Sequence, residues 1–217
     1  MKALFIAVYG ASGFGKEVMP LVRQQFPTLA KENFVFIDDG QAGNNLNSYA
    51  VLSYQDFLAR PHTHKAVTIA IANSQVREKL VQRLNGDQIQ HLDVHAGNTV
   101  ILDEVHIGEG SLLCPFTCLT SNIKIGKFFH ANIYSYIAHD CIIGDYVTFA
   151  PGVKCNGNIH IEDHAYIGTG AVIKQGTPDK PLVIGKGAVV GMGAVVTKSV
   201  PPGVTVIGNP ARILEKK

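Results

Sequence analysis

In the first half of the chain the apolar residues come in short unbroken runs, separated by stretches of helical spacing. Ala3 to Val8 is such a run, the mark of a strand buried on both faces. Behind it stand Gly10-Ala11-Ser12-Gly13-Phe14-Gly15, then Val18, Leu21, Val22 and Phe26, which share one face of a helix. Phe34 to Ile37 reads as a second strand, ending in Asp38-Asp39-Gly40, and Ser53 is placed to cap a short helix through Leu58. Lys65 to Ala72 gives a further strand, after which Asn73 or Ser74 caps a helix running to about Leu84. This alternation predicts a small parallel, Rossmann-like α/β domain with helical crossovers over residues 1–95.

Residues 96–217 obey a different rule. Stepping by six from Ile101 gives Ile107, Leu113, Leu119, Ile125, Ala131, Ile137, Ile143, Phe149, Cys155, Ile161, Ile167 and Ile173, all apolar. Chance alone would do this about once in twenty thousand trials at the chain's average composition. Gly follows at Gly108, Gly126, Gly144 and Gly168, and small or branched side chains stand four after the apolar residue, as at Ser111, Ser135, Val147 and Ala165. The phase slips once, between Gln175 and Val183, where Thr177-Pro178-Asp179-Lys180-Pro181 reads as a loop thrown out between coils. It resumes at Ile184-Gly185 and Val190-Gly191. Neither a helix nor a plain strand carries a period of six. A chain that turns a corner after every short strand does, and three such faces close an eighteen-residue triangular coil. Each coil buries its apolar face only against its neighbours, so several must stack.

Composition adds mainly exclusions. With 46% apolar and 17% charged residues the chain is able to bury a core, and its net charge of +2 has no basic run suited to nucleic acid. The four cysteines, Cys114, Cys118, Cys141 and Cys155, form no CxxC pair and read as buried reduced thiols. The apolar start after Lys2 runs directly into a Gly-rich turn, so it reads as a first strand of a cytoplasmic protein rather than a signal peptide. No apolar stretch approaches membrane-spanning length.

Among nine histidines, His139 stands out because Asp140 follows it. It falls two after the inward Ile137, where the coil turns and a side chain points outward. An imidazole there is able to take a proton, and a carboxylate beside it fixes the tautomer. Eighteen residues on lies Gly157, one coil away, or roughly 5 Å along the axis. A glycine there leaves an N–H open to an acyl oxygen; a corner that needs positive φ explains it equally well. Gly10-x-Ser12-Gly13-x-Gly15, between a strand and a helix, suits the approach of a phosphate to a helix N-terminus, although it departs from the dinucleotide fingerprint. The other histidines point to no metal. His62 and His64 read as part of a Pro-containing loop, His160 and His164 have metal spacing only on a helix, and His106, His130 and His160 share an outward position without forming a converging trio.

The [Ile/Val]-Gly-x-x-small-x repeats resemble the hexapeptide acyltransferases, whose fold is a left-handed parallel β-helix. The ending Val200-Pro201-Pro202-Gly203 with Gly208-Asn209-Pro210-Ala211-Arg212 is similar to that superfamily's usual close. The complete chain resembles bacterial sugar acetyltransferases that N-acetylate UDP-4-amino-4,6-dideoxy sugars, a layout shared with sialic acid O-acetyltransferases. The resemblance implies that His139 is the general base, oriented by Asp140, and that the Gly157 amide holds the acetyl oxygen. It implies an active-site role for Asn132, and a homotrimer with acetyl-CoA lying along the β-helix between subunits. Gly157, Thr169, Gly191, Met192 and Arg212 are then candidate CoA contacts. It also implies that Gly10, Ser12, Gly13, Phe14 and Gly15, with Asp38, Asp39, Ala72 and Asn73, hold the UDP part of a nucleotide sugar. The chain departs from the pattern at Phe14 and Thr148, where relatives often have His.

The expected activity is therefore acetyl transfer from acetyl-CoA to a sugar amine. Transfer to a sugar hydroxyl is the first alternative, and a non-catalytic trimeric nucleotide-binding scaffold the second.

Overall fold

The computed structural model describes residues 4–61 and 64–215, which divide into two compact units meeting at Val94 and His95. The first unit runs β1 (Leu4–Tyr9), α1 (Gly13–Gln25), β2 (Phe34–Ile37), β3 (Asn45–Leu46), β4 (Tyr49–Leu52), α2 (Tyr54–Ala59), β5 (His64–Ile69), α3 (Ser74–Gly86) and β6 (Gln90–His91). The sheet order is β3-β4-β2-β1-β5-β6, with every pairing parallel except the β3–β4 hairpin. Its central strand β1 is buried on both faces, as an unbroken apolar run requires. Ser53 caps α2 by accepting from Asp56 N at 3.0 Å, and Asn73, not Ser74, caps α3 by accepting from Val76 N at 3.0 Å. Two expectations are corrected. His64 opens β5 rather than lying in a loop, and that strand stops at Ile69 rather than Ala72 because the chain turns there into the α3 cap. Ala3 and His62 lie outside the described residues.

The second unit is a parallel β-helix with three faces. The first carries Leu112–Leu113, His130–Ala131, Thr148–Phe149 and Tyr166–Ile167. The second carries Cys118–Leu119, Tyr136–Ile137, Lys154–Cys155 and Val172–Ile173. The third carries Ile123–Ile125, Ile142–Ile143 and Ile159–Ile161. Partners stand eighteen residues apart, as in His130 with Thr148, Ile137 with Cys155 and Ile143 with Ile161. The loop in 175–181 then lengthens one coil, so that Ile161 pairs with Ile184. From Leu113 to Ile173 the six-step ladder is buried. Ile101 breaks it at 42% exposure because it lies on the first coil, with no coil beneath to cover it.

All three corners use left-handed backbone. On the corner between second and third faces these residues are Glu104, Asn122, Asp140 and Asn158, at φ 55 to 59°. The other two corners use glycines and, less usually, bulky side chains. There Phe116 stacks on Tyr134 (4.8 Å between ring centroids), and Phe128, Tyr146 and His164 form a second ladder (5.3 and 5.1 Å). Stacking between coils offsets the strain that positive φ imposes on such residues. The repeat glycines serve a different need. A Cβ on Gly108 would come within 2.7 Å of the Gly126 backbone, so the coils approach too closely there for any side chain.

Candidate active site

His139 and Asp140 occupy the corner between second and third faces, downstream of the buried Ile137. Because Asp140 is left-handed, at φ 59°, its carboxylate folds back on its neighbour, and Oδ2 lies 2.7 Å from His139 Nδ1. Its other oxygen, Oδ1, accepts from Asn122 Nδ2 at 3.2 Å. The bond with His139, and then that from Asn122, hold the Asp140 carboxyl below the ordinary aspartate range. An ionised Asp140 accepts only, so Nδ1 donates and the lone pair of the imidazole stands at Nε2. Both side chains are about half exposed, at 48% and 47%.

Gly157 lies against this imidazole. A Cβ built on it would sit 2.5 Å from His139 Cε1 and 2.6 Å from Nε2. Positive φ is not the reason for this glycine, since Gly157 is absent from the left-handed glycines. The glycine leaves room for the ring. Its N–H has no acceptor among the described residues, while the next residue, Asn158, donates to the His139 carbonyl at 3.0 Å.

The remaining candidates of this unit stand elsewhere. Asn132 is on the corner between first and second faces, half-buried, with Oδ1 accepting from Ile133 N at 2.8 Å. Thr169, Gly191 and Met192 continue that same corner through later coils, with Met192 82% exposed, and Arg212 is exposed on the returning strand Arg212–Ile213. Thr148 is buried on the first face, paired in register with His130. Within one chain, then, His139, Asp140 and Gly157 come together, and Asn132, Thr148, Thr169, Gly191 and Met192 lie away from them.

In the first unit the expected nucleotide-binding residues gather at the carboxyl ends of β1, β2 and β5, where crossovers leave on opposite sides of β1. Gly10 (φ 115°) turns the chain, and a Cβ on Gly15 would collide with the Gly10 carbonyl, so α1 starts hard against the loop. Ser12 and Gly13 are exposed and Phe14 half-buried. Asp38 braces the loop by accepting from Ala11 N at 3.2 Å and Gln41 Nε2 at 3.1 Å. Asp39 accepts from Tyr54 N at 2.7 Å and stands 3.6 Å from Arg83, whose guanidinium lies 3.8 Å over the Tyr54 ring. Arg77, fully buried, donates to the Ile71 and Ala72 carbonyls and so fixes the turn that carries Ala72 and Asn73.

Asn122, Arg77, Arg83 and Gln41 were not legible as site residues. For Asn122 the signal was present, since it stands eighteen before Asp140.

Other expectations need correction. His130 shares the outward frame position, since Phe129 and Ala131 on either side of it face the core, but it is buried. It is 2% exposed, whereas His106 is exposed beside Glu104 at 3.9 Å. Cys118 is half-buried rather than buried, while Cys114, Cys141 and Cys155 are buried, and all four are free thiols. Among the described residues no group of three or more His, Cys, Asp or Glu stands where it could hold a metal ion. None of their helices is long and apolar enough to cross a membrane.

Residues 5–84 match the PglD N-terminal domain family and residues 122–157 the bacterial transferase hexapeptide (six repeats) family. Over 211 residues, 96% of each protein, the chain is 49% identical to the GDP-perosamine N-acetyltransferase of Escherichia coli O157:H7. The chain belongs to the bacterial sugar N-acetyltransferase family. Among solved structures it is similar to WeeI from Acinetobacter baumannii AYE, with 82% identity, TM-score 0.97 and coverage of 98% of this chain and 100% of that one. The acetyltransferase domain of PglB from Neisseria gonorrhoeae FA1090, in complex with acetyl coenzyme A, has TM-score 0.83 at 27% identity, covering 96% and 98%. Family membership accounts for the joining of a Gly-loop sheet to a hexapeptide β-helix in one chain.

Proposed function

We propose that the chain transfers the acetyl group of acetyl-CoA to the amino group of a nucleotide-linked amino sugar. The observation that carries this is the His139 imidazole lying on Gly157 with its Nδ1 bound to Asp140. Nε2 of His139 takes the proton as the amine attacks the thioester carbonyl. The Gly157 N–H meets the oxygen that gains charge, and the protonated imidazole returns its proton to the departing thiolate. The first unit binds the nucleotide at the ends of β1, β2 and β5, with its phosphates at the open N-terminus of α1.

The resemblance that points to a UDP-4-amino-4,6-dideoxy sugar leaves a second reading. A GDP-linked sugar is favoured by the name of the relative at 49% identity. Transfer to an amine rather than a hydroxyl is supported by the same whole-chain relative. Assembly as a homotrimer is supported by the exposed ridge of Phe116, Tyr134 and Met192 on the corner that carries Asn132 and Thr169. A neighbouring subunit presenting that corner to His139 would close a half-exposed site.

The test is turnover with acetyl-CoA and UDP- or GDP-linked 4-amino sugars, for the wild type and His139→Ala. His139→Ala should lose about 10²- to 10⁴-fold in kcat with an unchanged melting temperature. Near-wild-type turnover would remove His139 as base, and absence of transfer to every amino and hydroxy sugar would restore the scaffold reading.

A further inference from the structure

We propose that Asn122 is a positioning residue, holding the Asp140 carboxylate on the His139 imidazole from the coil beneath. The proposal rests on the reading of His139 as base. Asp140 and Asn122 occupy the same corner position one coil apart, at φ 59° and 56°. Each carboxylate oxygen has one side-chain partner, Oδ2 with His139 at 2.7 Å and Oδ1 with Asn122 Nδ2 at 3.2 Å.

Burial does not fix this pair, because nearly half of each side chain meets solvent. An exposed contact to a carboxylate is weak and mobile, since water competes for both partners and each side chain gives up rotamer freedom to make it. A second hydrogen bond, from a side chain anchored on a different coil, narrows the orientations left to the carboxylate. The residue type fits this task. Only the amide nitrogen of Asn122 donates, so it is that atom which faces the carboxylate. An aspartate at 122 would set two carboxylates against each other. Asn also tolerates the left-handed backbone that this corner imposes. Among the described residues Asn122 makes no hydrogen bond to the imidazole or to the Gly157 amide. Its effect on the reaction is therefore expected through Asp140 alone.

Asn122→Asp and Asn122→Gly test this, each alone and combined with Asp140→Ala, with His139→Ala as control. Both replacements accept left-handed backbone. Asp keeps the shape and reverses the donor; Gly removes it. The Gly variant should lose about three- to ten-fold in kcat, the weight of one ordinary hydrogen bond at an exposed site, and the Asp variant more, with both KM values unchanged. In the Asp140→Ala background neither should lose anything further. Wild-type kcat in both variants, a loss confined to KM, or a loss of equal size without Asp140 would each overturn the assignment. If His139→Ala keeps its turnover, it is the base reading that fails, which separates the two outcomes.

Discussion

A single methyl group tests how His139 is seated. Gly157→Ala keeps the backbone N–H and meets no conformational barrier, because Gly157 is not in the left-handed region. Its only immediate collision is with the imidazole, 2.5 to 2.6 Å from the new Cβ. The ring is half exposed and has room to swing outward, so the fold should be spared while the base is displaced by about an ångström. A loss on the order of 10² in kcat is expected with little change in melting temperature. If kcat holds, the position of the ring over Gly157 is not the one used in catalysis. The eighteen-residue step made this contact legible from His139 upward. The same step taken downward from Asp140 reaches Asn122, but a lone Asn in a polar stretch carries no mark of function until its partner is known. In the first unit the carboxylates of Asp38 and Asp39 were visible as a pair, yet their partners Ala11, Gln41, Tyr54 and Arg83 lie on other segments. No spacing rule connects such residues.

At the level of the element, the repeat glycine is where two coils nearly touch. A Cβ on Gly108 would find Gly126 C at 2.7 Å and Lys127 N at 2.8 Å, all of it backbone held in the ladder. Side chains adapt by changing rotamer, whereas a stack of coils adapts only by separating, which lengthens several hydrogen bonds at once. Gly108→Ala should therefore destabilise by about 1–3 kcal/mol, the cost of overpacking a rigid site, measured by urea unfolding. A loss below a few tenths would mean that the coils part easily there. The six-residue period was readable from sequence because every coil repeats one steric demand: an apolar side chain inward, a small one near the corner. The edge strands of the first unit were not. Asn45–Leu46 and Gln90–His91 are two-residue strands of mostly polar character, held by the neighbouring strand rather than by any pattern of their own. The stacked aromatic corners were equally hidden, because Phe116, Tyr134 and Tyr146 contradict the usual preference of left-handed positions for Gly, Asn and Asp.

For the molecule as a whole, the division of the candidate residues between two corners has a consequence for assembly. His139, Asp140 and Gly157 share one corner; Asn132, Thr169, Gly191 and Met192 share another. Asn132 lies seven residues before His139, one hexapeptide and one residue more. That step moves around the prism to the next corner, whereas a step of eighteen moves along its axis and stays on the same one. If the proposed trimer sets each corner of the first kind against one of the second kind on a neighbour, every site draws on two chains. Two impaired variants should then complement each other. His139→Ala and Asn132→Ala, each slow alone, would be unfolded together and refolded at equal ratio. In a random trimer about a quarter of the sites would pair an intact His139 with an intact Asn132 from the neighbour, and activity should recover to about that fraction of wild type. Sites confined to one chain would give no recovery, since every chain in the mixture carries a lesion. A mixture that stays at the mean of its parents would therefore place Asn132 outside the site, or the whole site within a single chain. Asn132→Ala assayed alone distinguishes those two outcomes, since it keeps wild-type turnover only where Asn132 lies outside the site.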